Sequence, residues 1–195
     1  MRLLAGDIGG TKTALAIVEA HDHRISVVRM KRFPSGAYAG LSEIVEEFLA
    51  SEKLRLGAAA FGVAGPVRAG RAKVTKLPWR LDERRLARAI GIPRVRLVND
   101  FVAAALGLRY VRPGHLATLC RGRAEVGAPI GILGAGTGLG QAVVLRRGKT
   151  DEIVASEGGH VDFGPRRPVE DRLVLFLRER FARATRDRIL SGSGL

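Results

Sequence analysis

The chain has 195 residues, with Lys and Arg numbering 33 against 19 Asp and Glu, a net charge of +14 and a hydrophobic fraction of 46%. That length accommodates one large domain or two small ones with a real core, and no apolar run approaches the roughly 18–20 residues of a membrane-crossing helix. The excess charge is mostly arginine spread along the whole sequence, not one basic tract with interleaved aromatics, which argues against nucleic acid and for a basic field that attracts anionic ligands. A lone Cys120 makes no internal disulfide, and Asp7 arrives too early for a signal peptide, so the expected location is cytoplasmic.

In chain order, residues 3–5 and 14–18 read as strands flanking the first glycine turn, Gly6-Asp7-Ile8-Gly9-Gly10-Thr11. His21-Asp22-His23 reads as a solvated hairpin tip, followed by a third strand over 24–32. Leu41, Ile44, Val45, Phe48 and Leu49 follow the spacing of an amphipathic helix. A buried small-residue strand over 58–63 ends at Gly65-Pro66. A turn at Lys76-Leu77-Pro78-Trp79 leads to a helix over 81–90, stopped by Gly91 and Pro93. A strand over 95–98 then runs straight into Asn99-Asp100, and 101–108 is helical in composition. Three antiparallel strands followed by alternating helices and strands is an α/β pattern, that of the ribonuclease H-like (actin-like ATPase) fold.

A second round begins with strands over 130–133 and 142–145 around the second glycine turn, Gly134-Ala135-Gly136-Thr137-Gly138-Leu139-Gly140. Val169, Leu173, Phe176, Leu177, Phe181 and Ala184 form the apolar stripe of a further helix. The sequence closes on Ser191-Gly192-Ser193-Gly194-Leu195. The expected organisation is a small N-terminal lobe over 1–110, with the first glycine turn and Asp100, and an incomplete large lobe over 111–195.

Each glycine turn is read as a hairpin tip between two strands. Successive glycines let the backbone approach an anion and turn several N–H groups toward it. Either turn alone could be ligand-free; the pair, with Asp7 in the first, points to a clamp on nucleotide phosphates with Mg²⁺ near the carboxylate. A P-loop is excluded, because Thr11 separates Gly10 from Lys12. A dinucleotide-binding turn is excluded as well, since Leu139 or Gln141 stands where its last glycine belongs and the β-branched run after it favours a strand.

Asn99-Asp100 lies at a strand end and a helix mouth, where such residues cap helices and where α/β ligand sites gather. A carboxylate there can accept a proton from a substrate hydroxyl that attacks phosphorus. Glu157-Gly158-Gly159-His160-Val161-Asp162-Phe163 matches no standard metal spacing. It reads as a flexible turn presenting Glu157 and His160 to a polyhydroxylated ligand, with Asp162 a structural acceptor.

The segments LLAGDIGGTKTALAIVE, AAFGVAGPV, LPW, LVNDFVAAALGL, GILGAGTGLGQAVV and SEGGHVDFGPR, in this order and spacing, resemble the bacterial (proteobacterial-type) glucokinase family over 3–195. The resemblance implies a two-lobed actin-like ATPase with a cleft, using ATP and Mg²⁺ to phosphorylate glucose at its 6-hydroxyl, the first step of glycolysis. It makes Gly6, Asp7, Ile8, Gly9, Gly10 and Thr11 the first phosphate loop, with Asp7 at Mg²⁺ directly or through water. Gly134, Gly136, Thr137 and Gly138 belong to the second. Asp100 becomes the general base and, with Asn99, a sugar contact; Glu157 and His160 bind sugar hydroxyls.

Two positions depart from the family. Asp187 stands where the family has a sugar-binding Glu, one methylene shorter, and Lys76 stands where it usually has Asn. Family members also continue well beyond residue 195, with the adenosine-binding glycines in that part. The alternatives this opens are a truncated, non-catalytic sugar-binding remnant or one chain of a split glucokinase. The partners expected are glucose and either a second copy or a complementing C-terminal chain, with no nucleic acid and no membrane.

Overall fold

The computed structural model describes residues 1–21, 24–51, 54–123, 125–148, 150–192 and 194. Asp22 and His23 of the expected hairpin tip, and Ser193 and Leu195 of the closing segment, lie outside the described residues. The chain forms two compact units, Met1–Ala117 and Thr118–Leu195.

The first unit is built on five strands: β1 (Arg2–Ile8), β2 (Lys12–His21), β3 (Arg24–Pro34), β4 (Ala59–Val63) and, after a small hairpin layer, β8 (Val95–Asn99). They lie in the order β3-β2-β1-β4-β8. The pairs β1–β2 and β2–β3 are antiparallel, while β4 runs parallel to both β1 and β8. Alternation along the strands buries Leu4, Ile8, Leu15, Ile17, Phe33 and Phe61 in one core. Onto that core α1 (Leu41–Leu49) lays Leu41, Ile44, Val45 and Phe48, as its spacing predicts. Phe33 meets the rings of Tyr38 and Phe48 edge-on, at 6.0 and 6.2 Å. Fully buried side chains such as Phe33 and Phe48 each contribute about 1.5–3 kcal/mol.

Between β4 and β8 lie β5 (Val67–Arg68), β6 (Arg71–Lys73) and β7 (Arg80–Asp82), a separate three-stranded sheet, and α2 (Glu83–Ile90). Leu81 belongs to β7, so α2 starts two residues after the expected 81: Asp82 caps it, accepting from the N–H groups of Arg84 and Arg85 at 3.1 and 3.0 Å. Gly91 ends it in the left-handed conformation, φ +66°. The helix α3 (Asp100–Gly107) follows β8 without a gap.

In the second unit β9 (Ile130–Ala135), β10 (Leu139–Arg147) and β11 (Thr150–Ser156) form an antiparallel sheet in the order β11-β10-β9. The strand β11 was not legible in the sequence: it exposes nearly every residue, so it carries no alternation to read. The helix α4 (Pro168–Phe181) corrects the expected stripe. It buries Val174 and Leu177, whereas Val169, Phe176 and Phe181 are exposed. It also stops at Phe181, with Ala182 at φ +62°, so the buried Ala184 lies beyond it. Phe176 and Phe181 lie under the guanidinium groups of Arg180 and Arg188, at 4.2 and 4.3 Å, which shields rings that the core does not take. A short α5 (Arg186–Ile189) ends the regular structure. Among the described residues no helix is long and apolar enough to cross a membrane.

Candidate functional site

In the first unit the parallel strands finish in one row, because Ile8 pairs with Val63 and Val63 with Asn99. The loop after β1 and the start of α3 therefore leave the same rim of the sheet, two strand spacings or about 10 Å apart. Backbone bonds fasten the rim: the Ala64 N–H donates to the Ile8 carbonyl and the Thr75 N–H to the Ala64 carbonyl, both at 2.9 Å. Gly62, unnoticed in the sequence, lets α3 settle on β4, since a Cβ there would lie 3.6 Å from the Asp100 Cα and 3.3 Å from the Ala103 Cβ.

The expected first turn is shorter than its motif. Gly6, Asp7 and Ile8 are paired strand residues, and only Gly9, Gly10 and Thr11 make the bend. Gly6 is needed for packing, as a Cβ would come within 2.5 Å of the Phe61 ring. In the bend, the Gly9 N–H donates to the Lys12 carbonyl at 3.0 Å, and its carbonyl accepts from Ser35 Oγ at 2.8 Å. The Thr11 carbonyl accepts from the Ser35 N–H at 3.0 Å. The N–H groups of Gly10 and Thr11 have no partner among the described residues, which leaves two adjacent donors available to cradle an anion. Gly10 packs against the Thr75 carbonyl and the Cβ of Lys76, whose backbone is left-handed at φ +66°.

Asp7 stands beside this cradle. Burial raises its carboxyl above the ordinary carboxylate value even though much of the side chain remains in contact with solvent. The described residues supply it no cationic partner. A hard carboxylate oxygen left uncompensated next to an anion cradle fits Mg²⁺ well.

Asn99 does cap α3: its Oδ1 accepts from the N–H groups of Phe101 and Val102 at 3.0 and 3.2 Å, and its Nδ2 donates to the Gly65 carbonyl at 3.2 Å. The cap locks the side chain while leaving one amide hydrogen for a ligand. Asp100 occupies the first turn of α3, half-buried, where the helix dipole favours a carboxylate. Its Oδ1 also accepts from the Phe101 N–H at 2.9 Å.

In the second unit the bend is likewise narrower than the motif, covering 136–138, with Gly134 and Gly140 paired across the ladder. The Gly136 N–H donates to the Gly138 carbonyl and its carbonyl accepts from the Gly192 N–H, both at 2.8 Å. The N–H groups of Thr137 and Gly138 have no partner among the described residues, as in the first bend.

Glu157, His160 and Asp187 come together. His160 Nε2 is 3.7 Å from Glu157 Oε2, and its Nδ1 is 3.3 Å from Asp187 Oδ2. The other Asp187 oxygen accepts from Thr185 Oγ1. Burial alone would push the Asp187 carboxyl up, but the Thr185 hydroxyl, with His160 and Arg188 nearby, holds it below the usual value. A Cβ at Gly138 would lie 3.9 Å from Asp187 Oδ2, so this cluster adjoins the bend. The turn carrying Glu157 and His160 is a 3₁₀ turn seated against β10. Gly159 is buried, and a Cβ there would strike the Leu139 carbonyl. Asp162 is a structural acceptor, taking Arg183 Nε and Nη2 at 3.1 and 2.9 Å. Among the described residues no group of three or more His, Cys, Asp or Glu, this cluster included, is arranged to hold a metal ion.

The family model for glucokinase matches residues 4–195. The chain belongs to the glucokinase family. It is 39% identical over 197 residues to the glucokinase of Nostoc punctiforme, covering 99% of this chain and 58% of that one. A solved glucokinase from an Antarctic psychrotroph superposes with a TM-score of 0.80 at 26% identity, covering 99% of this chain and 61% of that one. A ROK family glucokinase from Streptomyces griseus, solved with glucose and AMPPNP, gives 0.57 at 26% identity over 85% of this chain and 52% of that one. The chain thus spans under two thirds of the length of the relatives it matches.

The glucokinase-family chain has the expected actin-like ATPase fold. Its first unit brings together Gly9 to Thr11, Asp7, Asn99 and Asp100 on one rim, and its second brings together Gly136 to Gly138, Glu157, His160 and Asp187. Sequence reasoning missed Ser35 and Thr185, the hydroxyls that brace these sets. Thr185 carried a weak signal, two residues before Asp187, where such hydroxyls commonly turn back. Ser35 carried none.

Proposed function

We propose that the chain acts in ATP-dependent phosphorylation of glucose at the 6-hydroxyl, yielding glucose 6-phosphate and feeding glycolysis in the cytoplasm. The observation that supports this reading is the Ile8–Val63–Asn99 row, since the bend at Gly9 to Thr11 and the half-buried Asp100 both leave that sheet rim. The exposed, unpaired Cys120 suits a reducing compartment.

In this reading Asp100 is the general base. It takes the proton of the sugar 6-hydroxyl as that oxygen attacks the γ-phosphorus, and the bond from phosphorus to the departing ADP oxygen breaks. The N–H groups of Gly10 and Thr11, without partners among the described residues, stabilise charge on phosphate oxygens. Those of Thr137 and Gly138 have the same chemistry. Gly6, Ile8 and Gly134 support the cradles as strand residues. Asp7 would hold Mg²⁺, directly or through water; when bound, that ion supplies positive charge against the phosphates. Asn99 holds a sugar hydroxyl with the amide hydrogen its cap leaves over. Glu157 and His160 are side chains of the kind that bind sugar hydroxyls. Asp187, engaged by Thr185 and His160, acts through the imidazole. The macromolecular partner is a second copy or a complementing C-terminal chain.

A coupled assay for glucose 6-phosphate, with ATP, Mg²⁺ and glucose, tests the reading on the chain alone and with a C-terminal portion of a glucokinase-family relative added. Product dependent on all three components is expected. A folded sample that makes none in either setting, and gives no calorimetric signal with glucose or ATP, overturns it.

A further inference from the structure

We propose that Ser35 is a positioning residue for the first phosphate cradle. This rests on the nucleotide-binding reading above.

Ser35 follows β3 directly and is fully buried, as is Thr13 on β2. Its Oγ donates to the Gly9 carbonyl at 2.8 Å, which uses its only hydroxyl hydrogen. The 2.9 Å contact between Thr13 Oγ1 and Ser35 Oγ therefore has Thr13 as donor. Its backbone N–H meanwhile donates to the Thr11 carbonyl at 3.0 Å. One residue thus holds two of the three carbonyls of the bend, at Gly9 and Thr11. Peptide planarity means that fixing a carbonyl fixes the N–H of the following residue. The Gly9 carbonyl shares a peptide plane with the Gly10 N–H, which belongs to the cradle.

Glycine would otherwise leave this bend free to rotate. Three glycine-permissive features, the Gly9 carbonyl, the Gly10 amide and the bend itself, are restrained by a hydroxyl that water does not reach. Losing a buried hydrogen-bond partner of this kind loosens the held group by roughly 5- to 100-fold. Ser35 touches no phosphate in this scheme; it sets the direction of an amide that does.

The test compares Ser35→Ala with Thr13→Val, which also removes a buried hydrogen bond but leaves Ser35 bonded to Gly9. Ser35→Cys, a similar volume with a weaker donor, serves if Ser35→Ala does not fold. Two readouts are taken on the full chain: amide exchange at Gly9, relative to the core amide of Leu15, and the affinity for inorganic tripolyphosphate. For Ser35→Ala we expect faster Gly9 exchange and tripolyphosphate binding weakened by roughly 5- to 100-fold, with Thr13→Val close to wild type in both at matched stability. Ser35→Cys should fall between. Unchanged Gly9 exchange in the Ser35 variants overturns the proposal even where wild type binds tripolyphosphate. Equal loosening by Thr13→Val reduces Ser35 to a packing role and also overturns it. Wild type that binds no tripolyphosphate, yet shows the exchange effect, removes the nucleotide reading and with it the functional meaning of the brace.

Discussion

Asp187 holds His160: a carboxylate oxygen lies 3.3 Å from the imidazole Nδ1, while the second oxygen is occupied by the Thr185 hydroxyl. The shorter acid at this position is therefore committed to its own neighbours. With Glu157 3.7 Å from the other ring nitrogen, His160 stands between two carboxylates, an arrangement that fixes the ring plane.

Because the Asp187 carboxyl is held below its ordinary value, its contribution to stability is complete above the unfolded value near 3.8 and is lost as pH falls through the lower folded value. Asp187→Asn should remove that acid-limb dependence and weaken glucose binding by freeing His160. Thermal unfolding from pH 2.5 to 6, with and without the substitution, measures the first; calorimetry with glucose measures the second. Identical acid limbs would discard the carboxylate's role.

Asp100→Asn keeps the size of the side chain and removes the base. Phosphorylation of glucose by any active form should fall by roughly 10²–10⁴-fold, with ATP-analogue binding little changed. A loss under about tenfold would move the proton to another acceptor.

Asp7 behaves oppositely to Asp187. Burial raises its carboxyl, so the charged form disfavours folding of the metal-free chain, and protonation relieves this as pH falls below the raised value. Asp7→Asn should raise the metal-free melting temperature at pH 7 and abolish the Mg²⁺ dependence of nucleotide binding. Melting in EDTA, followed by an AMPPNP titration with and without Mg²⁺, checks both; an Asp7→Asn chain less stable than wild type refutes the first.

Lys76 carries a left-handed backbone, φ +66°, which costs a non-glycine residue roughly 1–2 kcal/mol and which Asn tolerates better. Lys76→Asn should therefore stabilise the first unit by somewhat less than that, with Gly10 undisturbed. Urea unfolding decides it, and a midpoint that stays put or falls counts against the backbone explanation.

Much of the fold was readable because its signals are local. The periodicity of Leu41, Ile44, Val45 and Phe48 names the buried face of α1 without any partner, and Asn99 caps α3 from the adjacent position. The glycine turns were legible as turns, but their motif letters hid a division of labour: Gly6 answers to the Phe61 ring, and Gly158 and Gly159 to the main and side chains of β10. Those demands come from residues far along the chain, so no window of sequence contains them. Ser35 and Gly9 are 26 positions apart and meet only because β2 and β3 pair. The stripe on α4 misled for a related reason, since Phe176 and Phe181 are satisfied by arginines and not by the core.

The shared rim has a further meaning for how such a site can change. The strand β4 measures the interval between the bend at Gly9 and the carboxylate at Asp100, with Val63 as its common mark. Hydrogen-bonded register moves only in whole residues of about 3.3 Å, and a one-residue slip turns every side chain to the opposite face. The interval is thus quantised: substitution can alter what stands at either end, but no gradual drift can bring the two ends closer or push them apart.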